Sequence, residues 1–227
     1  MINILKSLQL LIKGDIMANE ELNEKHTKML SEELNTKRWK MLLRKILLDG
    51  QVSNPGSSKT VEVLGMQEHF DMNYPVISCS ARKLNTDFMI AEAAWILSGS
   101  NDIKYPTKYM KRYDNWSDNG VIMSGAYGPA IFRQMSYITN CLLSDPESRQ
   151  AVLTIWTERP QQSLDIPCTL SLQFLIRNNK IHCIANMRSS DVFLGLPYDI
   201  FVFSMIAANL SKMLNYYSGI EYELGYI

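Results

Sequence analysis

Two residues with matched chemistry stand at opposite ends of one expected hairpin. Cys168 follows Pro167 directly, and Arg188 closes a second alternating run beyond the dipeptide Asn178-Asn179. A thiol is a useful nucleophile at neutral pH only as the thiolate, and a nearby guanidinium favours that charged form. Asn178-Asn179 suits the positive φ angles of a two-residue turn, so Leu170 to Ile176 and Ile181 to Met187 are expected to pair as antiparallel strands. If Arg177 faces Lys180, then Leu170, Leu172, Phe174 and Ile176 meet Met187, Ala185, Cys183 and Ile181 on one face. Thr169, Ser171 and Gln173 then meet Arg188, Asn186 and Ile184 on the other. Strict alternation leaves Cys168 and Arg188 on opposite faces, so a bulge or the end of regular pairing after Pro167 has to bring them together. A cysteine hydrolase would also need a histidine base. The only histidines are His26, His69 and His182, and His182 lies well down the ladder, which makes a Cys-His protease the weaker reading.

Glu92 is the second informative residue. It stands among Ile90, Ala91, Ala94 and Trp95, and taking a lone carboxylate out of water costs several kcal/mol unless it is paired or protonated. A functional reason for it is therefore expected. Trp95, Trp116 and Asp191 each have a plainer alternative, two as core aromatics and the third as the cap of the following turn.

The elements that must position these residues follow from periodicity. Residues 20–48 read as a helix through Leu22, His26, Met29, Leu30, Leu34, Trp39, Leu42, Leu43, Ile46 and Leu47, stopped by Asp49-Gly50. A turn at Asn54-Pro55-Gly56 precedes a short strand from Thr60 to Leu64. Asn85 or Thr86 caps a helix carrying Phe88, Ile90, Ala91, Ala94, Trp95 and Leu97 and ending at Ser98-Gly99, and a strand runs from Ala151 to Trp156.

The chain of 227 residues is 46% hydrophobic and 20% charged, enough for one full core. Its 23 basic and 23 acidic residues cancel, so no global basic field exists to hold DNA or an anionic membrane, and any anion site must be local. Apolar runs such as Leu8 to Ile12 fall short of the roughly 20 residues of a bilayer-spanning helix. No secretory leader is evident, which makes the cytoplasm the expected compartment. Cys79, Cys141, Cys168 and Cys183 lack metal-ligand spacing, so no metal is expected.

In order along the chain, Glu92-Ala93-Ala94-Trp95, Tyr113 with Trp116, Tyr127-Gly128, Asp145-Pro146-Glu147-Ser148-Arg149, Pro167-Cys168, Gln173-Phe174 and the run Arg188 to Ile200 resemble the active-site segments of the thymidylate synthase family. The resemblance covers roughly residues 35–227. It implies an α+β single domain, a large mixed β-sheet covered by helices, with residues 1–34 as an N-terminal helical extension. It also implies that Cys168 adds to C6 of a pyrimidine nucleoside monophosphate, so that C5 can take a one-carbon unit from 5,10-methylenetetrahydrofolate. Arg188 and Ser189 would bind the 5′-phosphate, and Arg188 would also lower the thiol pKa. Arg149 would reach the phosphate of the other subunit of a homodimer, with Gln173 also on the nucleotide. Glu92 would organise water and proton transfer at C4 and C5. Asp191, Trp116, Tyr113, Leu194, Gly195, Tyr198 and Tyr127 would line the folate and reaction cavity.

Departures from the synthase pattern point to a branch. Pro197-Tyr198-Asp199-Ile200 stands where uracil-using synthases carry Pro-Phe-Asn-Ile, and Asp199 suits cytosine if it accepts from the 4-amino group and, protonated or through water, serves N3. Lys59 to Gly65, Cys168-Thr169 and Asn186-Met187-Arg188-Ser189 are likewise similar to the deoxycytidylate hydroxymethylases, in which water captures the one-carbon unit where synthases use hydride. Tyr113, at a position usually held by tryptophan, could leave room or a hydroxyl for that water. Gln150 replaces the family's second arginine, and the chain stops at Tyr226-Ile227 before its His-x-Tyr ribose contact, so the catalytic domain is expected to lack its C-terminal end. The alternatives are a thymidylate synthase and a catalytically silent nucleotide- or RNA-binding remnant.

Overall fold

The computed structural model describes residues 33–157 and 162–227. The first helix, α1, covers residues 33–49 and ends as expected before Gly50, whose amide caps the Ile46 carbonyl. Residues 20–32, the first half of the expected helix, lie outside the described residues. Next come a hairpin of β1 (Gln51–Ser53) and β2 (Thr60–Glu62), α2 (Thr86–Leu97), α3 (Lys104–Thr107), α4 (Tyr127–Ser144), β3 (Val152–Thr154), β4 (Thr169–Arg177), β5 (Lys180–Met187), α5 (Leu196–Ser218) and β6 (Glu223–Leu224). The Asn85 side chain accepts from the Phe88 amide and starts α2, the capping role its type favours.

The main sheet has the order β3-β4-β5-β6, antiparallel except for the parallel β5–β6 pair, and is therefore mixed. Asn178 and Asn179 take φ of 52° and 57°, the left-handed turn that fixes the β4–β5 register. Arg177 faces Lys180, and the expected pairing holds as far as Ser171 and Asn186. There the register slips, and Thr169 pairs with Met187. One face of this sheet is apolar: Leu153, Leu172, Phe174 and Ile181 are fully buried against helices α2, α4 and α5. α5 runs through the middle of the core, with Ile206, Ala207, Leu210 and Leu214 all inaccessible. The result is an α+β domain whose sheet is covered by helices.

A smaller cluster of Trp39, Phe70, Ile77 and Ile200, with Val192, Leu196 and Ile227 against it, joins α1 to the start of α5. Among the described residues no helix is long and apolar enough to cross a membrane.

Candidate active site

The slip in register builds the site. β4 carries a bulge at Leu170, whose carbonyl accepts from both Ile155 and Trp156 instead of extending the ladder. The alternation expected for Thr169 and Leu170 is thereby reversed: Thr169 is fully buried and Leu170 only half-buried. The same slip brings Cys168 opposite Arg188, whose amide donates to the Cys168 carbonyl at 2.9 Å and whose Nη2 lies 3.8 Å from Sγ. The guanidinium also holds the loop backbone, Nε donating to the Pro167 carbonyl and Nη2 to that of Ile166. Arg188 thus holds the Cys168 loop in shape and sets a positive charge beside its thiol.

The loop is pinned from the other side too. The Gly125 amide donates to the Asp165 carboxylate at 2.6 Å, and Asp118 accepts from the Leu164 amide and the Ser163 and Ser124 hydroxyls. A Cβ on Gly125 would come within 2.8 Å of the Asp165 carbonyl and of Pro167. Only glycine lets the two segments approach this closely.

Arg188 lowers the thiol pKa as expected, but it is not the largest influence on it. Half-burial of Cys168 outweighs the guanidinium, Asp199 and Asp165 add to the upward push, and the thiol lies above its ordinary value. Arg188 opposes that shift without reversing it.

Asp199 and Asp165 lie near the thiol, and Glu92 lies near Asp199. Glu92, on α2, accepts a short hydrogen bond from the Tyr113 hydroxyl, and burial carries its pKa up to about 7 although that bond opposes the rise. Tyr113, expected on the wall of the folate cavity, is 6% exposed and packs edge-on against Trp95 and Trp116. Its hydroxyl is therefore committed to Glu92. Asp199, in the first turn of α5, has no side-chain hydrogen bond among the described residues. Burial, then the neighbouring Glu92 and Asp191, push its pKa up to about 8. At neutral pH it is a neutral acid carrying both a donor and an acceptor. The Tyr127 phenol, at the first turn of α4, feels both Asp199 and Cys168 and is pushed above its ordinary pKa. Its oxygen accepts from the Thr169 hydroxyl at 3.0 Å and amide at 3.3 Å.

The loop 191–195 is bonded throughout. Asp191 Oδ1 accepts from the Phe193 and Leu194 amides, and its carbonyl from those of Gly195 and Leu196. The cap that was the plainer reading of Asp191 is therefore present, and Oδ2 stays free among the described residues. Trp39 Nε1 donates to the Val192 carbonyl at 2.7 Å, while Arg82 donates to the carbonyls of Phe193 and Leu194 and stacks over the Phe193 ring. In the sequence Trp39 reads only as an apolar helix position and Arg82 carries no signal; they bond to the loop across 153 and 111–112 residues, contacts that local pattern does not mark.

Tyr198, expected to line the folate cavity, is 9% exposed, packs edge-on against Phe88 and accepts the Asn85 amide. It supports the site from beneath. Trp116, Phe193 and Leu194 remain well exposed, and a Cβ on Gly195 would stand 3.6 Å from Asp199 Oδ2. An exposed indole and the exposed apolar chains of the 191–195 loop suit a flat heteroaromatic one-carbon donor, which Trp116, Leu194, Gly195 and Asp191 would hold.

The expected phosphate ligands divide. Ser189 lies exposed beside Arg188. Arg149 is exposed and its guanidinium is unpartnered among the described residues. Gln173 is occupied, since its Nε2 donates to the Arg149 carbonyl at 2.8 Å; it holds the Arg149 segment, and no hydrogen bond joins it to the other site residues.

A family model described as thymidylate synthase matches residues 37–222. Members of that family transfer a one-carbon unit from methylenetetrahydrofolate to C5 of a pyrimidine nucleotide. The matched span takes in every residue placed in the site above, and the chain belongs to the thymidylate synthase family of one-carbon transferases.

Proposed function

We propose that this enzyme hydroxymethylates a cytidine monophosphate at C5, the one-carbon unit coming from methylenetetrahydrofolate. The observation that carries the choice of base is the Asp199 carboxyl, unpartnered and with its pKa up to about 8. A carboxyl holding one proton offers an O–H to cytosine N3 and a carbonyl oxygen to the 4-amino group; once ionised it still accepts from that amino group but has no donor for uracil O4. In this reading Cys168 Sγ bonds to C6 and the C5–C6 π pair becomes nucleophilic at C5. Bound folate supplies the electrophilic methylene that C5 attacks. Loss of the C5 proton to a base would accompany cleavage of the bond between the one-carbon unit and the folate nitrogen, water would add to the exocyclic methylene so formed, and cleavage of the C6–Sγ bond would return the Cys168 thiolate. Glu92, titrating near 7 and held by Tyr113, is suited to handle that water and its proton. Arg188 and Ser189 take the 5′-phosphate, with Arg149 reaching across a homodimer. The outer face of the sheet supports the dimer, because the row Val152, Gln173, Ile184 leaves Val152 38% and Ile184 45% exposed in one chain.

The raised thiol pKa favours a second reading, a nucleotide-binding protein that does not turn over. One experiment separates them. With a 5-fluoropyrimidine nucleotide and methylenetetrahydrofolate, the wild type should form a covalent adduct and Cys168→Ser should not. No adduct in the wild type leaves the silent reading, and an undiminished adduct in the variant removes Cys168 from the reaction. Tritium release from C5 then reads the base. Cytidylate should be preferred, and Asp199→Asn should move the preference toward uridylate by about tenfold to a hundredfold, the cost of leaving one buried donor or acceptor unpaired. Equal rates on both bases, unchanged in the variant, would overturn the cytosine assignment.

A further inference from the structure

Thr169 occupies an unusual place: next to the nucleophile, at a β-bulge, and fully buried although polar. A buried hydroxyl needs partners, and it finds one in Tyr127. The bulge diverts the Thr169 amide out of the β ladder, so that N–H and Oγ1–H both point at the same phenol oxygen, at 3.3 Å and 3.0 Å. A phenol oxygen can accept two hydrogen bonds and donate one. With both acceptor positions filled from Thr169, its proton has to turn away from β4.

We infer that Thr169 is a positioning residue that acts through Tyr127, fixing the phenol as an acceptor from β4 so that its proton is directed at the pyrimidine ring attacked by Cys168. The inference rests on the reaction proposed above and adds to it the reason a threonine follows the cysteine. Adding a thiolate to C6 places a pair of electrons on the ring, and a hydrogen-bond donor already aimed at that charge stabilises it without reorganising during the step. A freely turning phenol would have to be reoriented each time. The two bonds from Thr169 also draw electron density from the phenol oxygen and make its proton a stronger donor.

The variants are Thr169→Val, which keeps the shape and the amide but removes the hydroxyl, Thr169→Ser, which restores it, and Tyr127→Phe alone and combined with Thr169→Val. Thr169→Val should lower kcat for tritium release by about tenfold, with the nucleotide KM changed by less than about twofold. Thr169→Ser should recover most of the rate. In the Tyr127→Phe background Thr169→Val should cost nothing further, because the residue through which it acts is gone. A substrate-free readout comes from the 13Cζ resonance of Tyr127, assigned by its disappearance in Tyr127→Phe: it should move in Thr169→Val and return in Thr169→Ser. An unmoved resonance, a serine variant as slow as valine, or losses that add in the double variant would overturn the inference. A resonance that moves as expected in a wild-type protein forming no fluoronucleotide adduct supports the Thr169–Tyr127 link and overturns the proposed reaction instead.

Discussion

Asp199 weighs on stability in a way that depends on pH. Its folded pKa, about 8, lies far above the ordinary 3.8, so the folded state holds a proton that the unfolded chain gives up. The stabilisation from that proton is complete below pH 4 and is lost as pH rises through 8. Glu92 adds to the same slope between 4.5 and about 7. Asp199→Asn removes the ionisation and should raise the melting temperature by about 2–4 °C near pH 8, with little or no gain at pH 4. Melting curves at the two pH values check this, and a gain that is equal at both would mean Asp199 is ionised in the folded protein. Cys168 and Arg188 show how far pattern can be read at this scale. Alternation along β4 and β5 exposed the conflict between their faces, and so required a bulge. The sign of the thiol's pKa was not legible, because it depends on Asp199 and Asp165, which reach Cys168 only through the fold.

Among elements, the loop 191–195 and the start of α5 form a unit held by Arg82, Trp39 and Asp191. Losing the Arg82 guanidinium leaves two carbonyls that water can partly reach, so Arg82→Leu should cost only about 1–2 kcal/mol of stability. Its effect should be local. Hydrogen exchange at the Phe193 and Leu194 amides should speed up, and KM for folate should rise several-fold while that for the nucleotide holds. Exchange rates as slow as in the wild type would show that Asp191 alone secures the loop. The hairpin and α2 could be read from sequence because each carries its own punctuation, Asn178-Asn179 in one and the Asn85 cap in the other. α4 and α5 raised no such signal. α5 enters without a side-chain cap and buries polar Ser204 and Ser211 among its apolar positions, and α4, although amphipathic, also enters without a side-chain cap to mark its start. The strand expected over Thr60 to Leu64 is shorter, Thr60–Glu62, because Gly65 turns the chain away at φ 68°.

For the whole molecule, the outer face of the sheet is the feature that calls for a second copy. Sedimentation should give a species near twice 26.0 kDa at micromolar concentration, and Ile184→Lys, which places a charge in the middle of that face, should shift it to the monomer. A monomeric wild type would remove Arg149 from the nucleotide site. The smaller core cluster has a different consequence, for how the protein is made. Ile227 exchanges two backbone hydrogen bonds with Phe70, and both pack in the cluster on which Trp39 and Val192 rest. Contacts so far apart along the chain form slowly. On the ribosome, where synthesis proceeds at roughly 5–20 residues per second, α1, the Phe70 segment and the Cys168 hairpin are all translated before their last partner exists. The cluster beneath the Asp191 loop is whole only after residue 227 has cleared the exit tunnel, so a nascent chain would hold Cys168 and its neighbouring carboxyl groups before that support is complete.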